Sequence, residues 1–112
     1  MIQPQQVVQN DYGYQIPFIL EDGNGNPVNL SGASLTLKVQ SAQDPTGTNL
    51  TLGGGMAIDS AANGTCHYSV AAGDFTNPGS FLTTVTATWG GETLTWVGPM
   101  LIVLPSLPKA IN

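Results

Sequence analysis

Asp22, Asn24 and Asn26 occupy alternate positions in the run Glu21-Asp22-Gly23-Asn24-Gly25-Asn26-Pro27, the spacing of the first three ligands of a calcium loop. The pattern then breaks. Its sixth position is Pro27 where a calcium loop needs glycine, and its twelfth is Ala33 where the bidentate glutamate would stand. Cys66 and His67 are adjacent, as a thiolate and its base could be, but neighbours in a strand point to opposite faces. The expectation is therefore an inward thiol and an outward imidazole. With one histidine in the chain, a multi-histidine metal centre within one subunit is excluded. The seven carboxylates are scattered over turns, with no pair on one strand face to serve as the acid and nucleophile of a glycosidase. No catalytic residue, cofactor or metal is assigned. Trp89 has two readings. With Tyr12 or Tyr14 it could form a stacking platform for a sugar, because an indole offers an apolar face and a polar edge; alternatively it serves the core or a subunit contact. The second is favoured, since indoles usually remove a large area from water.

The elements that must position these residues are strands. Tyr14, Ile16, Phe18 and Leu20 recur at every second position, and Ala33, Leu35, Leu37 and Val39 alternate with Ser34, Thr36, Lys38 and Gln40. Between them, Asp22 to Pro27 is composed of residues that reverse a chain. Pro17 lacks a ladder donor and places its strand at an edge or a bulge. A loop covers Ser41 to Thr48, and Leu50 with Leu52 suggests a short third strand. Met56 to Val70 reads as a hairpin about Asn63-Gly64, with Cys66, Tyr68 and Val70 inward. Ala71 to Gly79 reads as a loop or helical turn whose Phe75 plugs one end of the core. Phe81 to Trp89 and Glu92 to Val97 form the clearest hairpin, closed by Gly90-Gly91. Met100 to Leu104 is apolar throughout and suits a buried strand.

This pattern predicts an all-β, immunoglobulin-like antiparallel β-sandwich, with a barrel as the alternative. One domain accounts for all 112 residues: an N-terminal arm over 1–11, the sandwich over 12–104 and a C-terminal tail over 105–112. The Gln-rich start, Met1 to Asn10, could be an extended arm or a short edge strand, and ten extended residues reach about 33 Å. Ile2, Val7 and Val8 in the first arm, and Leu107 and Ile111 in the second, are the candidate anchors for protein contacts.

Charge narrows the partners. Only 8% of residues are charged, against roughly 25% in an ordinary globular chain, the net charge is −5, and Lys38 and Lys109 are the only Lys or Arg. Such a chain repels a polyanion, so direct nucleic-acid binding is not expected. No apolar run approaches the roughly 20 residues needed to cross a bilayer as a helix. One cysteine rules out an internal disulfide framework. Met1 to Asn10 lacks the features of a secretory signal, so the sequons at Asn29, Asn49 and Asn63 are expected to be incidental. A Thr, Ser, Asn, Gln and Gly surface has little self-repulsion, which suits a subunit packed against neighbours.

The string from Tyr14 through Glu21-Asp22-Gly23-Asn24-Gly25-Asn26-Pro27-Val28-Asn29-Leu30-Ser31-Gly32-Ala33 resembles the N-terminal domain of tailed-phage baseplate upper proteins. Gly73-Asp74-Phe75-Thr76-Asn77-Pro78-Gly79-Ser80-Phe81 resembles the segment before the penultimate hairpin of those domains, and Val103-Leu104-Pro105-Ser106-Leu107 their closing strand. The matching positions are turn and strand-start residues, and they span nearly the whole chain. The resemblance implies a virion structural protein, expected to be an adaptor or accessory subunit of tail, baseplate or neck. Its partners would be other virion proteins and further copies of itself. Family members continue into a second region, so a free-standing subunit is expected. Two alternatives stand beside this: a head decoration protein, and, in another class, a carbohydrate-binding module for host attachment.

Overall fold

The computed structural model describes residues 5–42, 50 and 52–105, and among these, eight strands carry the chain. They are β1 (Gln5–Val8), β2 (Gln15–Ile19), β3 (Ser34–Ser41), β4 (Gly55–Ser60), β5 (Thr65–Ser69), β6 (Gly79–Trp89), β7 (Glu92–Val97) and β8 (Leu101–Leu104). Two sheets form a sandwich. The larger has the order β1-β8-β6-β3 with β7 also paired to β6, and the smaller has the order β2-β5-β4. The fold is an all-β sandwich, as the alternating pattern predicts.

β6 organises the larger sheet because it is long enough to hold three partners. β3 lies along one side of it, from Ser34↔Thr88 to Ser41↔Phe81. The other side is shared by β7, from Thr84↔Val97 to Trp89↔Glu92, and by β8, from Gly79↔Val103 to Phe81↔Leu101. β7 and β8 are thus one line of chain broken at Gly98-Pro99. Gly98 N–H donates to the Thr83 carbonyl at 3.0 Å, and the Thr83 hydroxyl donates to the Pro99 carbonyl at 2.7 Å. Any Cβ at Gly98 would overlap Thr83 Oγ1 and press on the Phe18 ring, so glycine is required for the break to pass this close.

Inward side chains of both sheets form one core, in which Leu30, Val39, Cys66, Tyr68, Phe75, Val85, Leu101 and Val103 are nearly inaccessible. Removing each large apolar side chain from water contributes about 1.5–3 kcal/mol. Phe75 closes one end, as its sequence position suggests. Cys66, Tyr68 and Val70 point inward while His67 lies on the opposite face. Asn63-Gly64 closes the β4–β5 hairpin, which carries a register shift between Ile58 and Ser60. Among the described strands β2 pairs only with β5, so Pro17 sits on an edge strand.

Of the two readings of Met1 to Asn10, its described part takes the short edge strand: Gln5–Val8 forms β1 and pairs in parallel with β8, the one parallel pair among the described strands. Two expectations are corrected. Val7 is 5% exposed and belongs to the core of its own subunit, not to a partner; Val8 is half-buried opposite Leu104. Leu50 and Leu52 pack against the core without forming a strand among the described residues, although Leu50 N–H donates to the Val39 carbonyl at 2.8 Å. Ile2, Leu107 and Ile111 lie outside the described residues.

Candidate interaction surface

The polar residues singled out by spacing are engaged in shape. Asp22 Oδ1 accepts from the N–H groups of Asn24 and Asn26 at 2.8 and 3.0 Å, and Asp22 N–H donates to the Asn26 carbonyl at 2.8 Å. The carboxylate therefore holds a tight turn between Glu21 and Pro27, which bridge each other. Among the described residues no three His, Cys, Asp or Glu side chains gather closely enough to hold a metal. Cys66 is 1% exposed, and burial, assisted by Asp59, pushes its thiol up to about 11. A thiol so placed is a poor nucleophile at neutral pH. His67, on the other face of β5, donates from Nδ1 to Asp59 Oδ1 at 2.7 Å across the β4–β5 pair. That contact escaped the sequence reading because the register shift at Asp59 sets it.

A second polar cluster carries no sequence signature. Asp74 is 4% exposed, and its Oδ2 accepts from the Tyr68 hydroxyl at 2.5 Å and Ala71 N–H at 2.9 Å, while its Oδ1 accepts from Gly53 N–H at 2.7 Å. The Tyr68 oxygen in turn accepts from Gly54 N–H at 2.9 Å. Burial, then the bond to Asp74, raises the Tyr68 phenol above its usual range. Gly54 runs against Ser69 and Tyr68 so closely that no Cβ fits. Every donor is matched, so the cluster fixes the loop before β4 to the loop after β5 and leaves no polar group pointed at a ligand. Tyr14 is half-buried, its hydroxyl is enclosed with no hydrogen-bond partner, and burial with Asp11 and Asp74 raises its pKa.

The proposed aromatic platform is not assembled. Trp89 is half-buried at the β6–β7 turn and donates from Nε1 to the Ser31 carbonyl at 3.0 Å. Tyr12 (65% exposed) and Tyr14 lie at the other end of the sandwich, where Gly13 N–H meets the Val70 carbonyl and Asn10 N–H meets the Phe75 carbonyl. The eight residue steps from Phe81 to Trp89 separate the two ends by about 26 Å.

What the structure does bring together is an apolar groove. β2 and β7 are edge strands of opposite sheets, each paired on one side only among the described strands. They run along the same side of the sandwich, tied by the Trp96 indole N–H, which donates to the Glu21 carbonyl at 2.9 Å. Between them lies a groove of about 470 Å³, with Phe18, Leu20, Val85 and Trp96 beneath and Pro17, Ile19, Val97 and Pro99 along the rims. Beyond Trp96 a second hollow of about 430 Å³ continues past Leu94, Val28 and Gly23. Glu21 and Asp22 border both. Ile19 at 66% and Val97 at 77% are the most exposed large aliphatic side chains among the described residues. Apart from the two carboxylates at its border the groove is lined by apolar side chains, so it can exclude water and offer strand edges. The sequence hides it because Ile19 and Val97 are 78 positions apart and meet only through sheet packing. No family model and no curated protein matches the chain.

Proposed function

We propose that this protein is a bacteriophage virion structural subunit, an adaptor or accessory protein of tail, baseplate or neck, that works by protein–protein assembly and not by catalysis. The observation that carries the reading is the apolar groove between two edge strands of an almost uncharged sandwich. Edge strands present unpaired N–H and C=O groups that natural monomers usually cover or charge. Here β2 and β7 instead carry Ile19, Leu94 and Val97 exposed beside them. Apolar side chains in such an arrangement suit strand addition by another polypeptide. The resemblance of Tyr14 to Ala33 and of Gly73 to Phe81 to phage baseplate domains supports the same reading, and so does the low charge, which leaves little repulsion between packed copies.

Quantitative mass spectrometry of density-purified phage particles tests this. The chain is expected at a fixed copy number relative to the tail proteins. A copy number that scales with the major capsid protein would instead make it a head decoration, and absence from washed particles would overturn the reading.

A further inference from the structure

We infer that the groove between β2 and β7 receives the C-terminal segment Ser106–Asn112 of a second copy of this chain, so that subunits join head to tail. The inference rests on the assembly reading above and names the partner of the same surface. Trp96 stands between the two hollows. In an extended segment, Leu107 and Ile111 point the same way about 13 Å apart, with Lys109 between them. That spacing sets one aliphatic side chain in each hollow and the ammonium over the Trp96 ring beside Glu21 and Asp22, where cation–π and charge attraction act together. Lys109 is one of only two Lys or Arg in a chain of net charge −5, and the other, Lys38, lies on the outer face of the larger sheet.

A chain's own tail cannot seat both aliphatic side chains. Leu104 ends β8 beside Val8, while the nearer end of the groove is at Pro99, five residues back along the same line of chain. Those five residues span about 16 Å, whereas the three from Leu104 to Leu107 span at most about 11 Å. Filling both hollows therefore takes the tail of another copy, and copies joined this way form a closed ring or an open filament.

Two full-length variants test the contact. Glu21→Cys and Lys109→Cys chains, mixed under mild oxidation, are expected to give a disulfide-linked heterodimer about tenfold faster than Lys109→Cys mixed with Ser69→Cys, whose thiol lies on the outer face of β5. Equal rates would overturn the inference. So would a concentration-independent internal disulfide in a chain carrying both Glu21→Cys and Lys109→Cys, which would show the tail serving its own groove. Sedimentation of the full chain gives an independent readout. Lys109→Glu should weaken self-association about tenfold and Glu21→Lys in the same chain should restore it, whereas unchanged association in both would overturn the pairing. A chain present in particles but never cross-linked overturns this inference alone; one that cross-links but is absent from particles supports it and removes the virion reading.

Discussion

The Trp96 indole N–H, on the edge strand of the larger sheet, donates to the Glu21 carbonyl at the end of the smaller sheet's edge strand, 2.9 Å away. One side chain thereby ties two sheets that share no strand, on the side where the sandwich is open. Trp96→Phe keeps most of the apolar area and loses this bond, which should cost about 1–2 kcal/mol in urea unfolding. Trp96→Ala should cost about 3 kcal/mol or more, since it also removes packing against Val85 and Leu20. Equal losses for the two variants would mean that the bond, not the ring, is what ties the sheets.

Asp74 is the most sensitive polar position. Asp74→Ala strands the Tyr68 hydroxyl and the N–H groups of Gly53 and Ala71, and should destabilise by about 3–5 kcal/mol. Tyr68→Phe deprives Gly54 N–H of its acceptor and Asp74 of one donor, for about 1–3 kcal/mol. The double variant should lose less than the sum, a non-additivity that a double-mutant cycle in denaturant measures directly.

Stability should fall on the alkaline side. Burial raises the Cys66 thiol from 9.0 to about 11 and moves the Tyr14 and Tyr68 phenols above their usual 10.0. Each group holds its proton more tightly folded than unfolded, so above pH 9 the unfolded chain binds fewer protons and folding weakens as pH rises. The Cys66 contribution is complete below pH 9.0 and is lost as pH climbs to about 11. The tyrosines extend the loss upward from 10.0. Thermal midpoints between pH 8 and 11 should decline, and Cys66→Ala should flatten the portion between 9 and 11.

The Asp22 turn should be indifferent to calcium. Its Oδ1 is already occupied by two backbone donors, so millimolar calcium should leave the thermal midpoint unchanged, while Asp22→Ala should lower stability by about 1–2 kcal/mol. A calcium-dependent rise in the midpoint, abolished by Asp22→Ala, would restore the ion-binding interpretation of this spacing.

Much of the sandwich is legible in the sequence because its strands are long and alternate cleanly. Phe81 to Trp89 displays its buried face, Gly90-Gly91 and Asn63-Gly64 mark hairpins, and Pro17 marks an edge. β1 is obscured because four residues, two of them glutamine, carry almost no period, and its partner lies 96 positions away. The Asp74 cluster is invisible for a related reason: its donors come from Gly53, Tyr68 and Ala71, brought together only by the fold. The aromatic platform fails because side chains that could stack are assigned to opposite ends once the strand directions are known. The groove belongs to neither sheet separately, so no periodicity could announce it.

The parallel pairing of β1 with β8 has a consequence for synthesis. Gln5–Val8 is made 96 positions ahead of Leu101–Leu104, the strand that pairs with it among the described residues. Val7 therefore waits with its hydrocarbon uncovered while the strands between them are synthesised. A nascent chain halted before Leu101 should keep this segment open to proteases and chaperones, and closure should come only once β8 has emerged, at the slow rates typical of folds built from distant pairings.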